Sequence, residues 1–224
     1  MADQPEAPLS QDRALLGRAM DIARAVKRTP TLWREEPFYR VYLRRRLLAP
    51  SYRRRFHHFG EKVTLDKPLW LYGTKYMSIG DGSIILRGAW LAVEREAWQQ
   101  PAPVLEIGRR FAARPFVTIS AAGSVVIEDN VGVASFSTII DSDHTWSEAS
   151  THVLDSGLSA TPIRIGEGTF IAERAAILGG AQIGRQCFIG ANTVVKGRVP
   201  DYSIVLGVPG RVVGSTRPEA SRDE

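Results

Sequence analysis

From Ile165 to Val199 an aliphatic residue recurs at every sixth position: Ile165, Ile171, Ile177, Ile183, Ile189 and Val195. Four residues after each stands a small or β-branched one, in the series Thr169, Ala175, Ala181, Cys187, Thr193 and Val199. Small residues also follow the aliphatic directly at Gly166, Ala172, Gly184 and Gly190. A period of six matches neither the 3.6 of an amphipathic helix nor the 2.0 of a strand. It is the pattern of a stacked β-solenoid.

The same lattice extends upstream as Ile79, Ile85, Leu91; then Ile107, Ala113, Ile119; then Ile127, Val133, Ile139. Every interruption falls after a group of three, with spacings of 16, 8 and 26 in place of 6. If three hexapeptides make one triangular coil, all the breaks lie at one edge of a prism. That edge should carry two long loops, near 92–104 and 145–162. Coils stack about 4.8 Å apart, so the loops should leave the prism about 10 Å apart and flank a cleft on a rigid wall. The sequence therefore predicts an all-β solenoid of about five to six coils over residues 63–214.

Upstream the pattern changes. Residues 1–9 read as a disordered leader. Leu15, Ala19, Ile22 and Val26 fall at helical spacing up to Thr29-Pro30, and a second helical stretch is expected from about Pro37 to Leu48, with Arg53, Arg54 and Arg55 in the loop beyond. Residues 10–62 thus form a basic helical segment, 63–214 the solenoid and 215–224 a polar tail. A solenoid needs caps on its end coils, and the helices suit that role.

Charge is distributed unevenly. Residues 13–62 hold 14 Lys and Arg against 4 Asp and Glu, while the whole chain has a net charge of only +5, so the solenoid is slightly acidic. Two readings of the basic segment stand: solvated cap, or attraction to an anionic membrane surface. It contains no recognisable nucleic-acid module. No apolar run reaches the roughly 18 residues that span a bilayer. The opening MADQPEAPLS has no secretory character, so a cytoplasmic protein is expected. The single cysteine, Cys187, falls on an inward lattice position and reads as a small buried hydrophobe.

The run IGEGTFIAERAAILGGAQIGRQCFIGANTVVKGRVPDYSIVLGVPGRVVG, residues 165–214, resembles the C-terminal half of the hexapeptide-repeat acetyltransferases, left-handed parallel β-helix enzymes that use acetyl-CoA. The likeness continues through IEDNVGVASFSTIIDSDHTW and, more loosely, YMSIGDGSIILRGAWL, and is greatest for sugar or glycan O-acetyltransferases. The resemblance implies left-handedness, acetyl-CoA as co-substrate without a metal, and a homotrimer with sites shared between neighbours. It makes His144 the general base that takes the proton of an acceptor hydroxyl. The chemistry requires one, because a neutral hydroxyl attacks a thioester poorly until its proton is removed, and imidazole exchanges protons near neutral pH.

Asp143 stands where the lattice elsewhere has a small inward residue, so the chain must leave the wall there and set His144 at the loop mouth. Either Asp141 or Asp143 is expected to orient the imidazole or touch the acceptor. The cluster Asp141-Ser142-Asp143-His144 also offers metal ligands, but His57 and His58 lie outside the solenoid and the family's metal-dependent members use three converging histidines. Matching residue by residue, Ala191 falls where backbone meets the pantetheine arm, and Lys196, Arg198 and Arg211 where the family keeps cations for the nucleotide phosphates. The Lys196-Gly197-Arg198 sequence departs from the family's usual Thr-Lys before an acidic residue. Arg114 replaces an acceptor-contacting Asn and Ala122 an Asp, so Arg114 points either to an anionic acceptor or to a structural salt bridge. The resemblance thus implies acetyl transfer to a glycan or its precursor, with N-acetylation of an amine and a non-catalytic scaffold as the alternatives.

Overall fold

The computed structural model describes residues 48–145, 152 and 156–217. The leader, the helices expected over 10–47 and the tail beyond 217 lie outside them. The rest is a parallel β-helix of six complete three-strand coils. The first comprises β1 (His58–Phe59), β2 (Thr64–Leu65) and β3 (Trp70–Tyr72); the second β4 (Met77–Ile79), β5 (Ile84–Ile85) and β6 (Trp90–Val93). The third holds β7 (Leu105–Ile107), β8 (Ala112–Ala113) and β9 (Thr118–Ala121), the fourth β10 (Val125–Ile127), β11 (Gly132–Val133) and β12 (Thr138–Ile140). A hairpin of β13 (Ser142–His144) and β14 (Leu158–Ala160) then interrupts the winding. The fifth coil is β15 (Ile163–Ile165), β16 (Phe170–Ile171) and β17 (Ala176–Leu178); the sixth β18 (Gln182–Ile183), β19 (Phe188–Ile189) and β20 (Val194–Val195). Strands β21 (Arg198–Val199) and β22 (Ser203–Leu206) begin a seventh, and β23 (Arg211–Ser215) turns back antiparallel onto β22.

Strands of like position stack into three faces. Face A is β1-β4-β7-β10-β15-β18-β21, face B β2-β5-β8-β11-β16-β19-β22 with β23 at its edge, and face C β3-β6-β9-β12-β17-β20. Registers run without slippage along the parallel ladders; Ile127 pairs with Ile107 on one side and Ile165 on the other. Every hexad aliphatic from Ile79 to Val195 points inward and is buried. The small residues of the second series are buried too, because they occupy the tight inside of each corner.

The glycines have a steric cause. A Cβ on Gly166 would lie 2.5 Å from the carbonyl carbon of Gly184, and one on Gly184 2.5 Å from the Asp201 nitrogen. Buried corner hydroxyls link coils: Thr169 Oγ1 donates to the Gly184 carbonyl and accepts from Cys187 N–H. Such links satisfy backbone groups that a turn would otherwise strand in the core.

Two boundaries move. A further triplet, Phe59, Leu65 and Leu71, makes a coil ahead of Ile79, so the solenoid starts at His58 and not near Val63. Its aromatic first member and half-buried last member hid it from an aliphatic pattern. Residues 48–55 are helical, which places Arg53, Arg54 and Arg55 on a helix instead of in a loop. Tyr52 and Phe56, one turn apart, pack against Phe59 at ring distances of 5.4 and 5.2 Å and close the end of the prism. At the other end the fold reaches Ser215, one residue past the expected limit.

Candidate functional site

All the breaks in the lattice fall where face C passes to face A. The shortest is the Ala122–Ser124 turn. On one side of it, residues 94–104 form a loop opening with a 3-10 turn, Arg95–Ala97. On the other, β13 and β14 form an arm in which His144 pairs with Leu158 and Ser142 with Ala160. Two long loops on one edge are what the interruptions predict. The second departs at Asp141, four residues before the expected 145, because the chain pairs with its own return strand as soon as it leaves the wall. Thr161 N–H donates to the Asp141 carbonyl at 2.7 Å and closes the base of the arm.

Asp141 is 1% exposed, and its carboxylate accepts the backbone N–H groups of Ala122 at 2.7 Å, Gly123 at 2.8 Å and Ser124 at 2.8 Å. The sequence reading that Asp141 orients the imidazole or touches the acceptor is therefore corrected: both oxygens are spent on the neighbouring corner, and Asp141 clamps the arm to coil three. From the other side, Gln100 Nε2 donates to the Ala122 carbonyl at 3.4 Å and Ser120 Oγ donates to Glu94 at 2.8 Å. The open cleft expected between the loops is filled at its base by these contacts. Asp143 is exposed and adjacent to His144 on a strand, so the two side chains point to opposite faces of the arm. Asp143 does not orient this imidazole either.

His144 is half-buried, and its Nδ1 is enclosed without a hydrogen-bond partner among the described residues. Buried polar atoms in folded proteins are nearly always paired. No group of three His, Cys, Asp or Glu side chains converges as metal ligands among the described residues.

The remaining predicted site residues are dispersed within one chain. Arg114 is exposed on the edge between faces B and C of coil three, the width of face C away from the arm. Ala191 is exposed on that same edge of coil six, Lys196 on the edge between C and A, Arg198 on face A and Arg211 on β23. All four cofactor candidates lie in the last coils, on different sides of the prism. Arg198 borders a shallow groove of about 570 Å³ on the edge between faces A and B, where Arg185 pairs with Asp201 at 3.2 Å and Arg164 pairs with Glu128. On that edge Arg109 donates to Asp129 from Nε at 2.8 Å and from its backbone at 2.7 Å, which holds the Asp129 carboxyl below its ordinary range. Burial pushes the Cys187 thiol up, as befits the small core residue the sequence predicts.

Aromatic residues were missed by a reading tuned to aliphatics. Outward positions on face A are polar apart from Val126, and include Ser78, Glu106, Arg164 and Gln182, whereas face B exposes the stacked pair Phe170–Phe188 and the B–C edge the stacked pair Phe116–Phe136. Face C exposes Trp70 and Trp90. No described helix is long and apolar enough to cross a membrane.

Residues 162–197 match the family model described as bacterial transferase hexapeptide (six repeats). Among curated proteins the chain is similar to the probable acetyltransferase Rv3034c of Mycobacterium tuberculosis, 39% identical over 89 residues, 40% of this chain and 30% of that protein. It is similar also to galactoside O-acetyltransferase of Escherichia coli, 30% identical over 138 residues, 58% of this chain and 66% of that enzyme. The chain thus spans less than two thirds of the length of either relative. Among solved structures, AntD, an N-acyltransferase from Bacillus cereus in complex with dTDP and 3-hydroxybutyryl-CoA, superposes with a TM-score of 0.61 at 15% identity, covering 75% of this chain and 87% of that one. The likeness is one of fold.

Proposed function

We propose that this chain, which carries the hexapeptide transferase repeat on the left-handed parallel β-helix of the hexapeptide-repeat acetyltransferases, moves an acetyl group from acetyl-CoA to a sugar hydroxyl of a glycan or glycan precursor. The observation that carries the reading is His144. It is the imidazole on the arm that breaks the lattice, clamped there through Asp141, with an enclosed Nδ1 that has no partner among the described residues. In this reading the acceptor oxygen attacks the thioester carbonyl carbon as its proton passes to the imidazole. The tetrahedral oxyanion takes hydrogen bonds from backbone N–H groups, and collapse breaks the carbon–sulfur bond, the thiolate recovering the proton from the imidazolium.

The dispersal of Arg114, Ala191, Lys196, Arg198 and Arg211 over different sides of the prism supports a homotrimer in which neighbouring copies complete each site. The exposed phenylalanine pairs of face B and the B–C edge suit such contacts. Acetyl-CoA as donor supports a cytoplasmic setting, with the basic N-terminal segment available for contact with an anionic membrane.

Thiol release from acetyl-CoA with a panel of glycan acceptors tests the activity. His144→Ala should lose acceptor-dependent release by about a hundredfold or more while keeping its acetyl-CoA affinity. Retention of the full rate refutes the assignment. Removal of the acetyl group by mild alkali distinguishes the ester from the amide an N-acyltransferase would make. A monomer by light scattering at micromolar concentration contradicts the shared site.

A further inference from the structure

Five aromatic rings form a single continuous file on the outside of the first two coils. Trp70 and Trp90 are direct partners across face C and stack with centroids 5.3 Å apart at 20°. Tyr72 follows Trp70 at 6.4 Å, Trp98 follows Tyr72 at 5.4 Å, and Tyr76 stacks on Trp98 at 6.0 Å and 12°. The three indoles remain 47%, 37% and 37% exposed for Trp70, Trp90 and Trp98. Solvated apolar rings on a rigid wall cost free energy unless something covers them.

The file is held in place. Gly73, at φ 68, sits against Trp98: a Cβ there would lie 3.1 Å from the indole nitrogen and 2.5 Å from the Val93 carbonyl oxygen. Several polar tips are already engaged. Trp98 Nε1 donates to Val93 O at 3.1 Å, Tyr76 OH to Trp98 O at 2.7 Å, and Arg95 Nε to Tyr72 OH at 2.5 Å, with the guanidinium 6.0 Å above the Trp98 ring. Because the stacked rings cover one another's faces, what the file offers outward is ring edges and the faces left free at the ends of the stacks, as on Trp90, which pairs with Trp70 on one side and Thr118 on the other. The Arg95 guanidinium and the hydroxyls of Thr118 and Thr138, the next rungs of the same row, border it.

We infer that this file is a binding platform for an extended glycan, and that the acceptor chain runs across it toward His144. The inference rests on the acetyl-transfer reading above and names the kind of acceptor it takes. Pyranose rings present flat faces of polarised C–H groups, which suit the indole face that Trp90 leaves free beside Thr118, and hydroxyl rims, which suit Arg95 and the threonines.

Position supports the same ligand. Trp98 brings the file onto the 94–104 loop, which contacts the Ala122–Ser124 corner through Gln100, and the same corner binds Asp141 at the root of the His144 arm. The two loops leave coils two steps apart, about 10 Å, so an oligosaccharide of a few units reaches from one to the other.

Tryptophan fluorescence of the full chain, titrated with malto-, chito- and manno-oligosaccharides from dimers upward, reads binding without reference to catalysis. Saturable quenching is expected for at least one series, tightening about tenfold from the dimer to the longer members. A Trp70→Ala/Trp90→Ala variant should lose that length dependence while keeping its melting temperature and acetyl-CoA affinity. No saturable binding by any series, or unchanged length dependence in the variant, overturns the platform, even if acetyl transfer to a glycan has been demonstrated. Binding of the wild-type chain to anionic vesicles that the variant loses, or a change in the variant's solution mass, assigns the file to a membrane or a second copy and overturns it too. Should transfer to glycans fail while length-dependent binding persists, the acetyl-transfer reading falls and the platform stands.

Discussion

Replacing Asp141 by alanine separates two roles that the same aspartate could have been given. In the fold its carboxylate receives three backbone N–H groups at 2.7–2.8 Å, from Ala122, Gly123 and Ser124. Hydrogen bonds to a charged group contribute about 1.5–3 kcal/mol each, and a buried donor left alone costs about 1–3 kcal/mol. Ala122 is buried, so its N–H stays unsatisfied, while Gly123 and Ser124 are half-buried and recover water. The expected loss is about 3 kcal/mol, well below the sum of three separate bonds. Urea unfolding followed by circular dichroism at fixed protein concentration measures it as a fall in midpoint with unchanged slope. Acetyl transfer should fall alongside, because the arm carrying His144 loses its clamp, and Asp141→Asn should restore part of both by accepting some of the N–H groups. A variant that loses activity but less than about 1 kcal/mol of stability would refute the clamp and return Asp141 to the chemistry.

Four further outcomes follow from packing and charge. Gly184→Ala forces a Cβ to 2.4 Å from Asp201 Oδ1 and 2.5 Å from its nitrogen, and should cost about 1–3 kcal/mol, read as a lower melting temperature. Ile139→Ala empties a fully buried position in coil four and should cost about 2–5 kcal/mol in the same assay. Because Arg109 depresses the Asp129 carboxyl, this pair adds stability above the ordinary carboxylate range and loses it as pH falls through the depressed native value; Arg109→Ala should raise the Asp129 pKa in an NMR titration and remove that part of the acid dependence. Cys187, buried with its thiol shifted upward, should react with a disulfide reagent such as dithionitrobenzoate only after unfolding; prompt labelling of the native protein contradicts its burial.

The lattice was legible because a solenoid repeats one constraint. Every coil presses the same inward position against the coil below, so Ile127, Ile165 and Ile183 answer to identical surroundings, and a period survives in the sequence. The same logic found the edge with the long loops, since insertions are tolerated only where the winding can be left and rejoined at one corner. The chemistry of that edge was less legible. Asp141 and Asp143 are equivalent as letters, and only the pairing of β13 with β14 tells which is spent on backbone and which faces water. Arg114, Lys196 and Arg211 lie on no common side of one chain. The aromatic file escaped notice because it occupies outward positions, where the hexad imposes no type. Its members lie at 70, 72, 76, 90 and 98, a set that only the stacking of coils one and two and the return of the 94–104 loop bring together.

The reversal of β23 has a consequence for where the molecule ends. A parallel coil is a template for the next, and nothing in its own geometry says how many should follow. A last coil with open backbone on all three faces would offer itself to any other chain's first coil, and solenoids could grow end to end into fibres. On face B that invitation is withdrawn by β23, which lies antiparallel over β22 with all five residues solvated and occupies the hydrogen-bonding edge with a strand of the wrong direction. A bulge between Ile204 and Val205 further spoils the register. The inverted strand is thus a stop signal written in backbone polarity on that face.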